Sequence, residues 1–364
     1  MRLVLIGDAQ SPHLLKWARA LVRAPDMQLW VASSRAFDVG FDALVPAERR
    51  LALGTHPAHG GGNVGLLTTL PRLGRWLARV DADWLHAHYL TSHGTLAWLA
   101  RRGWRLRAQI AGSAWGSDIL LAPQRSRLYR ALTRRVLRAC AITTGDSQHM
   151  AQRMRELGAR EVMVFPFGLE ALPPAPAAKA PWLFFANRAL EPLYRPQRVL
   201  EVYASIAAAR PEACLVVAND GSLAAALPQA ARALGLTVGR VDAGQQVEFV
   251  GRLDTAAQDR WYARACWYLS LPHSDSVAVS VLEAMAHGCI PLLSELPANR
   301  ELIHPGEDGW IVPDAGPLDL AALQRLGDDA PRIAARHRAF IAQHGLFAPA
   351  VERFLQRLRE LSPP

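Results

Sequence analysis

The sequence predicts an α/β protein built from two doubly wound parallel-sheet domains in tandem, and three observations carry that expectation. The chain has 364 residues, and at roughly 150 residues per domain a chain of this size holds about two. Short β-rich apolar runs alternate with helical patterns, the signature of strand–helix–strand units. That alternation is interrupted once by a proline-rich stretch and then begins again. With 51% of residues apolar and 20% charged, a disordered chain is excluded.

The elements follow in order. Residues 3–7 (LVLIG) form an apolar run ending in glycine, as a central parallel strand does. Ser11 and Pro12 supply an N-cap and a pre-set first helical residue, so 13–22 is predicted helical with Leu14, Trp17 and Leu21 inward. Further strands are expected at 28–32, 84–88, 107–111 and 141–144. The break falls at 167–181, where Pro173, Pro174, Pro176 and Pro181 indicate a stiff linker. Strands then recur at 182–186, 213–218, 247–250 and 267–271, with helices to about 209 and over 256–265. The expected division is a first domain at 1–168, a linker at 169–181, a second domain at 182–345 and a final amphipathic helix within 346–364, whose partner the sequence leaves open. Such sheets bind ligands beyond the carboxyl ends of their strands. Two of them face to face would form a cleft.

Charge is unevenly distributed. Residues 1–170 hold 23 Lys+Arg against 12 Asp+Glu, whereas the remaining 194 hold 18 against 20, so the whole excess of the +9 chain lies in the first half. An anionic partner for that half is implied: a phosphate-bearing substrate, an acidic membrane or nucleic acid. Only Lys16 and Lys179 are lysines, a composition bias that explains the choice of arginine but not its confinement. Cys140, Cys214, Cys266 and Cys289 are far apart, without a metal or redox pair, as free thiols in a reducing cytosol would be. The first ten residues do not suit a signal peptide, and no run reaches ~18 apolar residues, so a cytoplasmic protein, soluble or peripheral on the inner membrane face, is expected.

The most specific segment is HSDSVAVSVLEAMAHG at 273–288. Glu283 lies in an otherwise apolar helix, where an unpaired buried carboxylate is costly. Asp275 precedes it by eight residues, up to ~12 Å at ~1.5 Å per residue. Two acceptors at that separation suit hydroxyls at the ends of a sugar nucleotide, with the N–H groups at the helix start facing its diphosphate. The alternative is structural: Asp275 caps the helix and Glu283 pairs with an arginine.

The segment is similar to the E-x7-E signature of the retaining GT-B glycosyltransferases of family 4, the glycosyl transferases group 1, and continues like them as LEAMAHGCIPLLSELPANRELIHPGEDG at 282–309. FANRAL at 185–190, VVANDG at 216–221 and VEFVG at 247–251 resemble further strand ends of that family, and Ser11-Pro12-His13, HAHY at 86–89 and Gly116-Ser117-Asp118 resemble its looser acceptor-side patterns. The resemblance implies a GT-B fold of two Rossmann-like domains, an acceptor half and a donor half. It also implies transfer of a sugar from a UDP- or GDP-linked donor to a hydroxyl of a glycan or lipid-linked acceptor, with retention and with neither metal nor cofactor. Glu283 would bind the ribose hydroxyls, Asp275 the transferred sugar and Arg188 the diphosphate. Gly251 and Arg252 would border the base pocket, and Arg195, Asn219, Ser276, Val277 and Ala278 would also contact the donor. His88 and Asp118 would face the acceptor.

The sequence departs from the family in places. Asp275 stands where Glu is usual. Leu193 replaces a lysine that Tyr194 or Arg195 would have to replace in turn. Glycine is missing from the 276–279 loop, and Trp115 stands where a histidine is common. A catalytically silent scaffold or a nucleotide-sugar epimerase are the alternative functions. Asp81-Ala-Asp83 spells a manganese-type D-x-D but is read as a helix–strand connection. His86, His88 and His93 are read as satisfied cleft-edge residues rather than metal ligands, and Gly60-Gly61-Gly62-Asn63 as a mobile acceptor-side loop rather than a phosphate loop. Arg101, Arg102, Arg105 and Arg107, then Arg125, Arg127, Arg130, Arg134, Arg135 and Arg138 with Leu128, Leu132 and Leu137 interleaved, suit an anionic membrane better than nucleic acid.

Overall fold

The computed structural model describes residues 1–55, 64–175, 178–316 and 318–362; the Gly60–Asn63 loop and Pro176 lie outside them. The chain divides into two compact units, Met1–Pro166 with Phe347–Pro364, and Phe167–Leu346.

The first unit is a parallel sheet of β1 (Arg2–Gly7), β2 (Gln28–Ser33), β3 (Arg50–Ala52), β4 (Trp84–His88), β5 (Gln109–Ser113), β6 (Ile142–Gly145) and β7 (Val162–Val164), in the order β3-β2-β1-β4-β5-β6-β7. Burial on both faces explains why β1 is an unbroken apolar run. The helix Pro12–Val22 starts where expected, with Ser11 Oγ accepting from His13 N, and it buries Leu14, Trp17 and Leu21. β3 and β7 were not expected: each is a three-residue edge strand, too short to show a period. β5 starts two residues later than expected, because Arg107 is exposed and paired with Asp81 at 3.1 Å. Asp81 and Asp83 form a helix–strand connection, Asp81 ending the helix Leu70–Val80 in a left-handed turn and Asp83 accepting from Arg2 N at 2.7 Å.

The last helix, Phe347–Leu361, belongs to the first unit although it follows the second in sequence. Its Phe347, Val351, Phe354 and Leu358 recur at helical spacing and are buried. Trp17 meets Phe347 and Phe354 edge-on, with ring centroids 5.0 and 5.4 Å apart. Polar contacts fix the register: Trp84 Nε1 donates to Ser362 Oγ, Gln109 Nε2 to Leu361 O, and Arg357 grips Glu161 with two bonds of 2.7 and 2.9 Å.

The second unit is a sheet of β8 (Ala180–Ala186), β9 (Cys214–Ala218), β10 (Val247–Gly251), β11 (Ala265–Ser270), β12 (Ile290–Ser294) and β13 (Trp310–Val312), all parallel, in the order β10-β9-β8-β11-β12-β13. Residues 169–175 also belong here. Leu169 N bonds to Gly345 O at 2.7 Å, and a Cβ on Gly168 would stand 1.8 Å from that oxygen, so only glycine permits the approach. Arg338 donates to the carbonyls of Pro173 and Pro174.

At the carboxyl ends of β4 and β5 the first unit buries a polar cluster. The three histidines, expected to be satisfied, are only half so. His86 Nε2 bonds Ser113 Oγ, His88 Nδ1 accepts from Trp115 Nε1 and His93 Nδ1 meets His88 O, while the other ring nitrogen of each is buried without a hydrogen-bond partner among the described residues. Trp17 and Phe354 pack against the His86 ring, with centroids 4.7 and 4.9 Å away. Burial lowers His86 to a pKa of about 3 and His93 to about 4, and burial with the neighbouring His86, His93 and His13 lowers His88 well below its ordinary value. Asp118 moves the other way: burial raises it to about 6, against the N–H groups of Trp115, Leu90, Asp118 and Ile119 that favour its charge.

Two predictions follow from this packing. Phe354→Ala should destabilise the first unit by about 3–5 kcal/mol in a denaturant titration, although the residue is distant in sequence from that unit's strands; an unchanged midpoint would show that the helix is not part of the core. The second concerns pH. A buried histidine of lowered pKa leaves the unfolded chain with more bound protons, so its contribution is complete above about 6.5 and is lost as pH falls towards 4. Asp118 has the opposite sign, contributing below its unfolded value and losing that contribution as pH rises through about 6. The histidines are shifted further and outnumber it, so the melting temperature should fall from pH 7 to pH 4.5 by an amount worth several kcal/mol. A flat profile would contradict the burial of these rings.

Candidate functional site

In the second unit the chain runs outward from β8 to β9 and β10, then returns to add β11 on the other side of β8. The loops after β8 and β11 therefore diverge, leaving a crevice at the point where doubly wound sheets bind ligands. Arg188 follows β8 and Asp275 follows β11. Their side chains meet there, Arg188 Nη2 donating to Asp275 Oδ2 at 2.6 Å with 17% and 21% exposure. The guanidinium lies over the Tyr194 ring, 4.4 Å from its centroid, and Nη1 reaches Ser280 Oγ at 3.3 Å. Burial alone would oppose the charge on Arg188, but Asp275, Tyr268 and Tyr194 hold its pKa above the ordinary guanidinium value.

Ser280 lies in the first turn of the helix Val279–Ala286, which no side chain caps. Arg188 and the positive end of this helix thus converge on one place, an arrangement that favours an anion. Asp275 supplies the negative charge, its second oxygen accepting from Ser276 N at 3.0 Å. It does not cap the helix; Ala278 is the cap residue. Ser276, Val277 and Ala278 are all buried in the approach to that helix.

Glu283 is on the same helix, half-buried, and accepts from the Tyr262 hydroxyl at 3.2 Å. Tyr262 belongs to a polar network that sequence reasoning missed. Asn187 Nδ2 bonds Tyr262 Oη at 2.8 Å and Gln258 Oε1 at 2.6 Å, and Tyr268 Oη donates to Asn187 Oδ1 at 2.7 Å. Burial pushes both tyrosine pKa values up, so both remain neutral donors. The tyrosines lie in patterns that read as core. A polar Asn directly after a buried strand was the one visible cue.

Beside this network is a cavity of about 190 Å³ lined by Asn187, Ala218, Asn219, Arg252, Leu253 and Gln258. Asn219 was expected at the donor and Arg252 at a base pocket, and both line this cavity. Asn219 adopts a left-handed φ of 89°, held by Nδ2 donating to Asn187 O and N donating to Gly251 O. Gly251 itself has φ 67°, which lets the chain turn from β10 into the cavity wall.

Other expected residues have different surroundings. Arg195 is committed to the backbone of the loop after β11, Nε to Leu271 O and Nη2 to Pro272 O, with Nη1 on Asp314. It shapes that loop and is not brought to the Arg188–Asp275 pair. Asp118, expected to face an acceptor, is 3% exposed, and its two oxygens accept from Leu90 N at 2.8 Å and Trp115 N at 2.9 Å. Its work is to tie the turn after β4 to the turn after β5. His88 is 2% exposed at the end of β4, facing Trp17 and Trp115. Among the described residues no group of three or more His, Cys, Asp or Glu is placed to hold a metal.

A family model described as Glycosyl transferase 4-like matches residues 2–147, and one described as Glycosyl transferases group 1 matches residues 171–326. No curated protein matches the sequence. Among solved structures, Anabaena Alr3699/HepE in complex with UDP is similar with a TM-score of 0.76 at 13% identity, over 99% of this chain and 100% of that one. Sucrose-phosphate synthase from Thermosynechococcus elongatus gives 0.76 at 16% identity over 100% of both chains. The lipopolysaccharide outer core galactosyltransferase WaaB gives 0.65 at 14%, over 93% and 95%. At such identities the structures speak for the fold, while the two family models, one on each half, speak for the family: the chain belongs to the group 1 glycosyltransferases of GT-B fold.

Proposed function

We propose that the second unit binds a nucleoside-diphosphate sugar and that the protein transfers its sugar, with retention, to a hydroxyl of a glycan or lipid-linked acceptor. The observation that carries this reading is the meeting of Arg188 with the uncapped start of the helix Val279–Ala286, next to the cavity lined by Asn219 and Arg252. A diphosphate placed at Arg188 has a fork of donors on one side and a helix N-terminus on the other. The base then extends towards the cavity, and Glu283 accepts from the ribose hydroxyls, steadied by Tyr262. UDP is the favoured nucleotide, since HepE structures were solved with UDP and with UDP-glucose.

The chemistry follows from charge. As the glycosidic bond breaks, negative charge grows on the leaving diphosphate, and Arg188 with the helix start stabilises it in a water-poor site. In our proposal these groups suffice without a metal, and a leaving diphosphate oxygen takes the proton of the attacking hydroxyl. Asp275 is within reach of the transferred sugar once the diphosphate takes over its place at Arg188.

Glu283→Ala should weaken UDP binding in isothermal titration about ten- to a hundred-fold and slow donor hydrolysis at least as much, because a charge-assisted hydrogen bond is lost. Equal nucleotide release from wild type and variant would sink the donor-site assignment. Arg188→Lys should lower turnover more than it weakens binding of the nucleoside alone, since a point charge replaces the two-pronged contact. Tyr262→Phe should cost roughly ten-fold or less, through looser positioning of Glu283; an effect as large as that of Glu283→Ala would mean that the hydroxyl itself contacts the donor.

A further inference from the structure

We propose that one helical face of the first unit is a docking surface for an anionic lipid bilayer. Three helices distant in sequence, Leu70–Val80, Thr95–Gly103 and Arg127–Ala139, pack side by side against one core, the middle one touching both others. None of the three contains an Asp or a Glu. The first turns Leu73, Trp76, Leu77 and Val80 inward and exposes Arg72, Arg75 and Arg79. The second ends in exposed Arg102. The third buries Thr133, Val136 and Leu137 and exposes Arg127, Arg130, Arg134, Arg135 and Arg138.

An ordinary solvated face mixes signs, as the last helix does, where Glu352 and Glu360 alternate with Arg353, Arg357 and Arg359. Here, among the described residues, none of the exposed arginines on the three helices has an ion-pair partner. The nearest acid in sequence, Asp81, is paired with Arg107. Helices of 11, 9 and 13 residues laid side by side in that order make a face about 20 Å across. A cationic face of that size, free of acids, repels its own charges unless it meets an anionic surface.

One apolar residue decides the kind of partner. Leu128 is 76% exposed and emerges on the arginine side of its helix. An aliphatic side chain among arginines inserts at the headgroup boundary of a bilayer. A single-stranded nucleic acid would instead engage stacking rings, but Trp76 and Trp98 of these helices are packed on the core. The surface shares no residue with the donor site, so it stands whether or not the donor reading does.

The test is vesicle flotation of the full chain on phosphatidylcholine alone and on phosphatidylcholine mixed with phosphatidylglycerol, at low and moderate salt, with UDP binding measured on the same samples. Binding to the mixed vesicles only, weakened by salt, is expected. The triple variant Arg130→Gln, Arg134→Gln, Arg135→Gln should bind them roughly a hundred-fold more weakly, at about five-fold per arginine, with its melting temperature and UDP affinity unchanged. Leu128→Asn should weaken binding without altering its salt dependence. Should the triple variant fold poorly, Leu128→Asn and the salt series still decide. Equal flotation on both lipids, none on either, or capture by duplex DNA or tRNA without capture by vesicles would overturn the proposal.

Discussion

The second unit is organised around one ion pair, Arg188 with Asp275, joined at 2.6 Å across the loops that follow two adjacent strands. Both groups are largely removed from water, and a pair in that state is held less by net gain than by the cost of separating it. Removing one partner leaves a buried charge unmatched, at about 3–5 kcal/mol. The pair therefore fixes the crevice in the absence of ligand. The Tyr194 ring beneath the guanidinium, 4.4 Å away, further restricts its orientation.

From that point the order passes through neutral hydrogen bonds. Asn187, next to Arg188, binds Tyr262 and Tyr268, and Tyr262 reaches Glu283. The carboxylate is thus positioned by a donor that stays neutral at neutral pH. The first unit uses a carboxylate in a contrasting way. Asp118 also joins two strand-end turns, but it is buried and takes backbone N–H groups on both oxygens. Asp275 is 21% exposed and takes one backbone N–H and one replaceable guanidinium. The two carboxylates thus differ in access to solvent and in the kind of partner each holds.

The sequence made the strand–helix rhythm legible, because strands buried on both faces are apolar runs bounded by turns, as in β1 and β9. The short edge strands β3 and β7 were illegible for the opposite reason: half-exposed and three residues long, they carry no pattern. The partner of the final helix was hidden because pairing Trp17 with Phe354 depends on the whole intervening fold. Asp275 and Glu283 stood out in the sequence as spaced charges in apolar surroundings, whereas Arg188 entered only through the resemblance of FANRAL at 185–190 to the family's strand end. Tyr262 and Tyr268 did not stand out, since a buried aromatic with a bonded hydroxyl looks like any core ring in sequence. The burial of Asp118 and its two backbone partners were not legible, because sequence shows a charge without its neighbours.

The charge asymmetry visible at the outset has a structural counterpart in how arginine is used. In the second unit arginines act as struts: Arg195 grips two carbonyls and Asp314, Arg198 a carbonyl and Glu201, Arg264 pairs with Asp242, and Arg338 binds the carbonyls of Pro173 and Pro174. Each spends its donors on its own chain and projects little field. On the three helices of the first unit the same residue projects into solvent unpaired. An exposed cation contributes little to stability, so stability does not account for so many on one face. Their common effect is a sustained positive potential within a Debye length, about 8–10 Å, of that face. One residue type thus serves two ends, internal fixation where it is paired, as at Arg195 and Arg338, and an outward field where it is not, as on these three helices.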